Sequence, residues 1–252
     1  MTRVALFEAM RPFAPDQRLS RAAVPLIDAV ADEFGLARLE GKVTALADPA
    51  KFFALAKDVL GPLAQHEVDG CNAILAACGA AGWPIADTAY ALATAYHETA
   101  GTMQPIKEIG GPAYFTRLYD ITGARPEKAR ELGNLQPGDG ARFCGRGYPQ
   151  LTGRRNYSLA TTALQAQFPG LDLVANPDDA MRPDVAAAVM VRGMREGWFT
   201  GRDLSDDLPR SGPATRDQFV RSRDIINGSD KAEKIADEAI EFQQALVAGG
   251  WA

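Results

Sequence analysis

Apolar positions recur at helical spacing over most of the chain. Residues 51–61 and 64–79 carry this pattern, and Val68, Cys71, Ile74, Leu75 and Cys78 share one helix face. Trp83-Pro84 breaks the pattern and opens a new helix at Pro84 or just after it. That helix is expected over 85–98, with Ala89, Leu92, Ala93 and Tyr96 on one stripe and Ala100-Gly101 as its stop. Residues 101–141 are rich in Gly and Pro and carry only short apolar runs, so a long irregular region with one helix near 126–132 is expected. Loops of that length in a compact domain tend to be functional. Residues 142–152 alternate enough to suggest one short hairpin or ribbon. Helical spacing resumes at 154–168, 183–197 and 230–247, with Pro183-Asp184 marking one start and Asp230 placed to cap the last.

The expected fold class is therefore mainly α with a small β element. The beginning of the chain carries a weak internal similarity. Leu6-Phe7 through Gly35-Leu36 parallels Phe52-Phe53 through Gly82-Trp83, each opening on an apolar pair and passing a Pro into a helix. Residues 1–48 read as an N-terminal helical extension, either a degenerate copy of the unit at 50–82 or an ordinary amphipathic helix pair. Residues 49–252 read as the main domain.

Composition narrows the function classes. A chain of 252 residues can bury one sizeable core. No stretch approaches the roughly 20 apolar residues that span a bilayer. Met1 to Arg11 holds two basic residues but no continuous apolar run, so it does not read as a secretory signal. Cys71, Cys78 and Cys144 cannot all pair within the chain and are expected to be reduced and buried. With no Cys-x-x-Cys spacing and only His66 and His97, no metal site and no cofactor are expected. A net charge of −5 argues against a general nucleic-acid binder. It is also awkward for a partner as anionic as a bacterial wall, unless the arginines at 142–155 line a locally basic surface.

Glu98 is the first candidate for chemistry. At the C-terminal end of the helix over 85–98, the helix dipole disfavours a carboxylate and favours the protonated form that a general acid needs. Glu108 lies ten residues on, next to Lys107, whose charge favours an ionised neighbour. Two carboxyls with surroundings that differ in this way would suit glycoside hydrolysis. On spacing alone, neither stands out from ordinary surface glutamates.

Several segments in order change that reading. Tyr96-His97-Glu98-Thr99-Ala100-Gly101, Ile106-Lys107-Glu108, and the run Gly138-Asp139-Gly140-Ala141-Arg142-Phe143-Cys144-Gly145-Arg146-Gly147-Tyr148-Pro149-Gln150-Leu151-Thr152-Gly153-Arg154-Arg155-Asn156-Tyr157 resemble glycoside hydrolase family 19. So do Asn176-Pro177 and Ile225-Ile226-Asn227-Gly228. The resemblance covers roughly residues 50–245. It is nearest to the phage and bacterial branch, with its short gap between the acids and without the cysteines of the plant branch. It implies a lysozyme-like helical fold with a cleft between two lobes, and an inverting mechanism. Glu98 would be the general acid and Glu108 the base, roughly 6.5–9.5 Å apart so that a water fits between them. It also implies that Thr152 and Asn156 help to position the water and the sugar, and that Gln150 and Asn227 are further cleft residues. Arg146 would pair with a catalytic carboxylate or its support. His97 would orient the acid or fill the core, and Tyr148 and Tyr114 are candidates to stack on sugar rings. Asp120 is the fallback base. Ala100 stands where the family often has Gly, and Arg155 stands where plant members have an aromatic residue, which favours a more charged substrate.

The expected activity is endo-acting cleavage of a β-1,4 amino-sugar polymer, with peptidoglycan ahead of chitin. A phage or prophage endolysin, monomeric and released from the cytoplasm through a holin-type pore, fits these features. A lytic transglycosylase and a non-catalytic wall-binding protein are the remaining alternatives.

Overall fold

In a computed structural model of the chain, the described residues are 6, 9–13, 26–27, 30, 44–226 and 230–252. Most of the N-terminal extension and its supposed repeat, together with Asn227-Gly228, lie outside them. The helices are α1 (Pro49–Leu60), α2 (Gln65–Ala80), α3 (Ile85–Glu98), α4 (Pro112–Tyr119), α5 (Pro126–Glu131), α6 (Asp139–Arg142), α7 (Arg154–Leu164), α8 (Pro183–Glu196), α9 (Arg216–Ser222) and α10 (Ala232–Ala248). Strands β1 (Ile106–Lys107) and β2 (Arg146–Gly147) form one antiparallel pair, with Ile106 opposite Gly147 and Lys107 opposite Arg146. The described fold is mainly α with a small β element, as the apolar pattern indicates. Two compact units share the chain: one comprises Met1–Met103 with Met190–Ala252, the other Gln104–Val189.

The first unit is built from long helices. Asp48 caps α1 by accepting the Lys51 N–H at 3.1 Å, Pro49 occupies its first turn, and Gly61 at φ +72° ends it. Phe52, Ala56 and Leu60, spaced by four, form its buried face. Helix α3 is buried from Ala86 through Ala95 and packs against α10. A helix enclosed on all sides needs small side chains where neighbours approach, and Ala86, Ala89, Ala91, Ala93 and Ala95 supply them. Tyr90 stacks on Phe219 of α9 at 6.4 Å and donates its hydroxyl to the Ser222 carbonyl at 2.7 Å. Trp251 donates its indole N–H to the Trp83 carbonyl at 3.0 Å, and Leu46 bridges Trp251, so the end of the chain is tied to the start of α1 and α3.

The second unit has short elements. The expected ribbon at 142–152 takes its main partner from elsewhere: β2 pairs with β1, while Arg146 and Leu151 exchange two backbone hydrogen bonds of 3.2 and 2.8 Å across a tight loop. Gln150 takes the left-handed conformation in that loop, at φ +54°. Besides the expected helix near 126–132 (α5), two further helices, α4 and α6, arise in or at the edge of the region expected to be irregular. Gly110-Gly111-Pro112 looks like a breaker, but Pro112 sits in the first turn of α4, where its missing N–H costs no hydrogen bond. Helix α6 is one turn and too short for a period to show. Asp230 does not cap the last helix: Lys231, at φ +58°, precedes it, and the Asp230 carbonyl instead accepts from Arg223 Nε at 2.9 Å.

Candidate functional site

Glu98 is the last residue of α3. The helix closes with Gly101 N–H donating to the Tyr96 carbonyl at 2.8 Å and Ala100 N–H donating to His97 at 3.2 Å, a left-handed stop centred on Ala100 at φ +51°. Thr99 locks the turn: its hydroxyl donates to Ala95 O at 2.7 Å and accepts Met103 N–H at 3.0 Å. The turn lies so close to α2 that a Cβ on Gly70 would meet the Met103 carbonyl oxygen at 1.8 Å. The backbone at Glu98 is therefore held in place by this packing.

The Glu98 carboxylate is 18% exposed and faces a cation absent from the sequence reading. Nη1 of Arg223, itself 2% exposed, lies 2.8 Å from Glu98 Oε1. The pair is close but poorly aligned, so among the described residues neither atom has a well-formed hydrogen bond. Arg223 is held from behind by the Asp230 carbonyl. His97 is half-buried and its imidazole is held below its ordinary pKa, by burial first, with the Glu98 charge pulling the other way. Among the described residues no hydrogen bond joins it to Glu98, so the orienting role is not visible in the contacts.

Glu108 follows β1 directly and sits in a cradle within the second unit. Its backbone N–H donates to Gly145 O at 2.8 Å, and Gly145 N–H returns a bond of 3.1 Å to Glu108 Oε2. Oε1 accepts from the Tyr119 hydroxyl at 2.9 Å. A Cβ at 145 would stand 2.6 Å from Gln150 Oε1 and 3.2 Å from Glu108 Oε2, so any larger residue there would push on both side chains. The Tyr119 phenol is pushed well above its ordinary range, by burial first and then by the hydrogen bond and charge of Glu108.

The other candidates divide. Gln150 donates its amide to Ile106 O and Gly147 O, both at 3.1 Å, and so pins β1 to the loop after β2. Thr152 is partly exposed, and its hydroxyl donates to Gln150 O at 2.8 Å. Asn156 donates its amide to Thr152 O at the same distance. The cap of α7 is Gly153 at φ +91°, so Thr152 is not the capping residue. Arg146 does not pair with a catalytic carboxylate. It is 4% exposed, bonds Asp178 at 2.7 Å, and donates to Arg142 O, Cys144 O and the Tyr157 hydroxyl. Tyr148 is wholly buried and offers no ring face to solvent, whereas Tyr114 is exposed. Cys71, Cys78 and Cys144 are free and buried, and burial pushes the Cys71 thiol up to about 12.

Asp120, the fallback base, is inaccessible. It accepts from the Thr122 N–H and hydroxyl and from the N–H groups of Gly138 and Gly140 at 2.7–3.1 Å. Burial alone would raise its carboxyl, but these four donors outweigh burial and hold it below the usual range. Asp139 is likewise buried, chelated by Arg154 through bonds of 2.9 and 2.5 Å. Of the arginines at 142–155, then, Arg146 and Arg154 are neutralised by acids. Arg142 donates to the Val174 and Ala175 carbonyls and Arg155 to Arg130 O. A groove of about 630 Å³ lies beside Arg142, Arg154, Asp139 and Asp172, and none of the sequence-predicted site residues lines it. The described residues contain no cluster of His, Cys, Asp and Glu able to hold a metal ion. Sequence reasoning missed Arg223 and Tyr119. Pro112 was the only signal for the helix that carries Tyr119, and nothing local marks Arg223.

No family model matches the chain, and neither does any curated protein. Among solved structures, chitinase C from Streptomyces griseus HUT6037 is similar, with 23% identity over 78% of this chain and 75% of that chain and a TM-score of 0.46. A likeness of that degree transfers neither a residue role nor an activity.

Proposed function

We propose that the protein is an endo-acting glycoside hydrolase with a lysozyme-like fold that cuts a β-1,4-linked amino-sugar polymer, peptidoglycan, with inversion at the anomeric carbon. The observation that carries this reading is a contrast among acids. Asp120 and Asp139 are buried and saturated by structural hydrogen bonds, whereas Glu98 and Glu108 keep solvent access while their carboxylates are held by fixed donors or a fixed cation. Carboxyl groups that are oriented yet open are what acid–base hydrolysis requires.

Each residue has one task in this reaction. Protonated Glu98 gives its proton to the glycosidic oxygen as the C–O bond breaks. Glu108 takes a proton from the water whose oxygen forms the new bond to the anomeric carbon. Glu108 ends protonated, Glu98 ends ionised, and proton exchange with solvent restores both. Arg223 stabilises the Glu98 carboxylate left after transfer. Thr152 and Asn156, partly exposed at the start of α7, position the water and sugar. The protein acts as a monomer on the wall after leaving the cytoplasm through a holin-type pore. Arg155, a partly exposed residue whose guanidinium also donates to Arg130 O, supports a substrate bearing carboxylates over a neutral one.

Purified protein incubated with permeabilised Gram-negative cells tests this directly. Clearing of turbidity, with reducing ends and no anhydro-sugar in the mass spectrum of the fragments, is the expected result. Anhydro-sugar products would make it a lytic transglycosylase, and cleavage of chitin oligomers without lysis would make chitin the polymer. Lysis undiminished in Glu98→Gln would refute the acid assignment.

A further inference from the structure

The base of the reaction proposed above is gripped on both oxygens, and one of the two donors is a side chain with no assigned part in that reaction. A carboxylate offers about four lone-pair sites. Tyr119 occupies one on Oε1 and Gly145 N–H one on Oε2, which leaves one on each oxygen for water. The two donors come from different elements, the end of α4 and the residue before β2, so together they fix the plane of the carboxylate and not merely its position.

Tyr119 is itself rigidly mounted. Its ring stacks on that of Phe115, which is 2% exposed, at 6.4 Å. Its carbonyl accepts from Asn134 Nδ2 at 2.9 Å, and Asn134 Oδ1 accepts the Arg154 N–H at 2.8 Å. One buried amide thus links Tyr119 to the start of α7, the helix that carries Asn156. The next residue, Asp120, binds the N–H groups of Gly138 and Gly140. A donor mounted this firmly needs no reorganisation when a proton arrives at the base.

Resting on the assignment of Glu108 as base, we propose that Tyr119 is a positioning residue that holds the Glu108 carboxylate in the one orientation that aims a free lone pair at the attacking water. Its phenol stays protonated, and hence a donor, throughout the neutral range.

Tyr119→Phe tests this, because it removes the hydroxyl and keeps the stacked ring. The expected result is a kcat lowered roughly tenfold, the scale of one hydrogen bond to a charged group, with KM within about twofold of the wild type and an essentially unchanged melting curve. An unchanged kcat overturns the proposal, as does a rise in KM that accounts for the whole loss. NMR titration of the Tyr119 ring carbon next to the hydroxyl, in wild type and Glu108→Gln, reads the contact without relying on turnover or on the Phe variant. Ionisation at lower pH in Glu108→Gln is expected, since the acceptor charge is gone, and an identical titration overturns the contact. If the wild type cleaves no glycosidic bond the hydrolase reading fails, and if Glu98→Gln and Glu108→Gln both stay fully active the assignment of the two carboxylates fails; in either case the titration still reports on the contact.

Discussion

The two candidate carboxylates are held in contrasting ways by the two units. In the first, Glu98 is placed by regular structure: a 14-residue helix buried through Ala95, stopped by a left-handed turn that touches α2. Its counter-charge, Arg223, comes from a short turn after α9. In the second, Glu108 follows a strand of two residues and owes its place to individual hydrogen bonds from Gly145 and Tyr119. Buried apolar side chains pack both units. Around Glu108 the short elements of the second unit are also tied by saturated polar groups such as Asp120, Asp139 with Arg154, and Arg146 with Asp178. The lesson is that a side chain can be aimed equally well by a helix end or by a polar loop, but the two respond differently to mutation and to pH.

The largest effect belongs to the chemistry. Glu98→Gln should lower kcat by about 10²–10⁴-fold with its circular dichroism unchanged, because the amide cannot give up a proton. Near-normal turnover would sink the assignment. Next come the two kinds of order. Phe52→Ala, which empties a wholly buried site beneath α10, should cost about 3–5 kcal/mol in urea unfolding. Asp120→Ala should cost about 3 kcal/mol, because it leaves the Gly138, Gly140 and Thr122 N–H groups without their acceptor. If Asp120→Ala proved neutral, the view that Asp120 orders the turn at Gly138–Gly140 would fail.

Asp87 in the first unit and Asp120 in the second should respond to pH with opposite sign. Asp87, on α3, is pushed up to about 7 by burial and by Asp203, against the pull of Arg195 at 3.7 Å. The folded state holds its proton more tightly than the unfolded chain does. That contribution is therefore complete below the ordinary aspartate value and is lost as pH rises through about 7. Asp120 is held below its ordinary value, so its contribution is present at neutral pH and fades as pH falls through the acidic range. Hydrogen exchange followed residue by residue should show amides of α3 near Asp87 losing protection on going from pH 5 to pH 8. Gly138 and Gly140 should lose theirs only in acid. Asp87→Asn should abolish the first trend and leave the second. The smallest effect is expected at Ala100: replacement by Gly relieves the left-handed conformation at φ +51° and should add up to about 1 kcal/mol of stability, read as a raised melting temperature. A loss of stability there would mean that the helix stop is not what holds Glu98.

The sequence by itself determined the long helices and the motif acids. Apolar period and punctuation by Pro84 and Ala100-Gly101 delimit 85–98 at the same residues as α3, and helices near 49–60, 65–80 and 183–196 follow within a residue or two. These are local properties: a period of 3.6 and a left-handed stop leave their marks on neighbouring positions. Helices α4, α6 and α9 were not legible: α6 is one turn, and α4 begins at a Gly-Gly-Pro run that reads as a breaker. The surroundings of the acids were even less so. Arg223 beside Glu98, Tyr119 on Glu108 and Asp178 on Arg146 are pairings between residues distant in the chain, and no residue type or spacing marks them in advance. The sequence offered Asp120 as a second candidate base, and only the tertiary structure removed it from solvent and surrounded it with backbone donors. Which carboxylates are open and which are structural is decided by packing, because burial and the supply of hydrogen-bond donors exist only once the chain has folded.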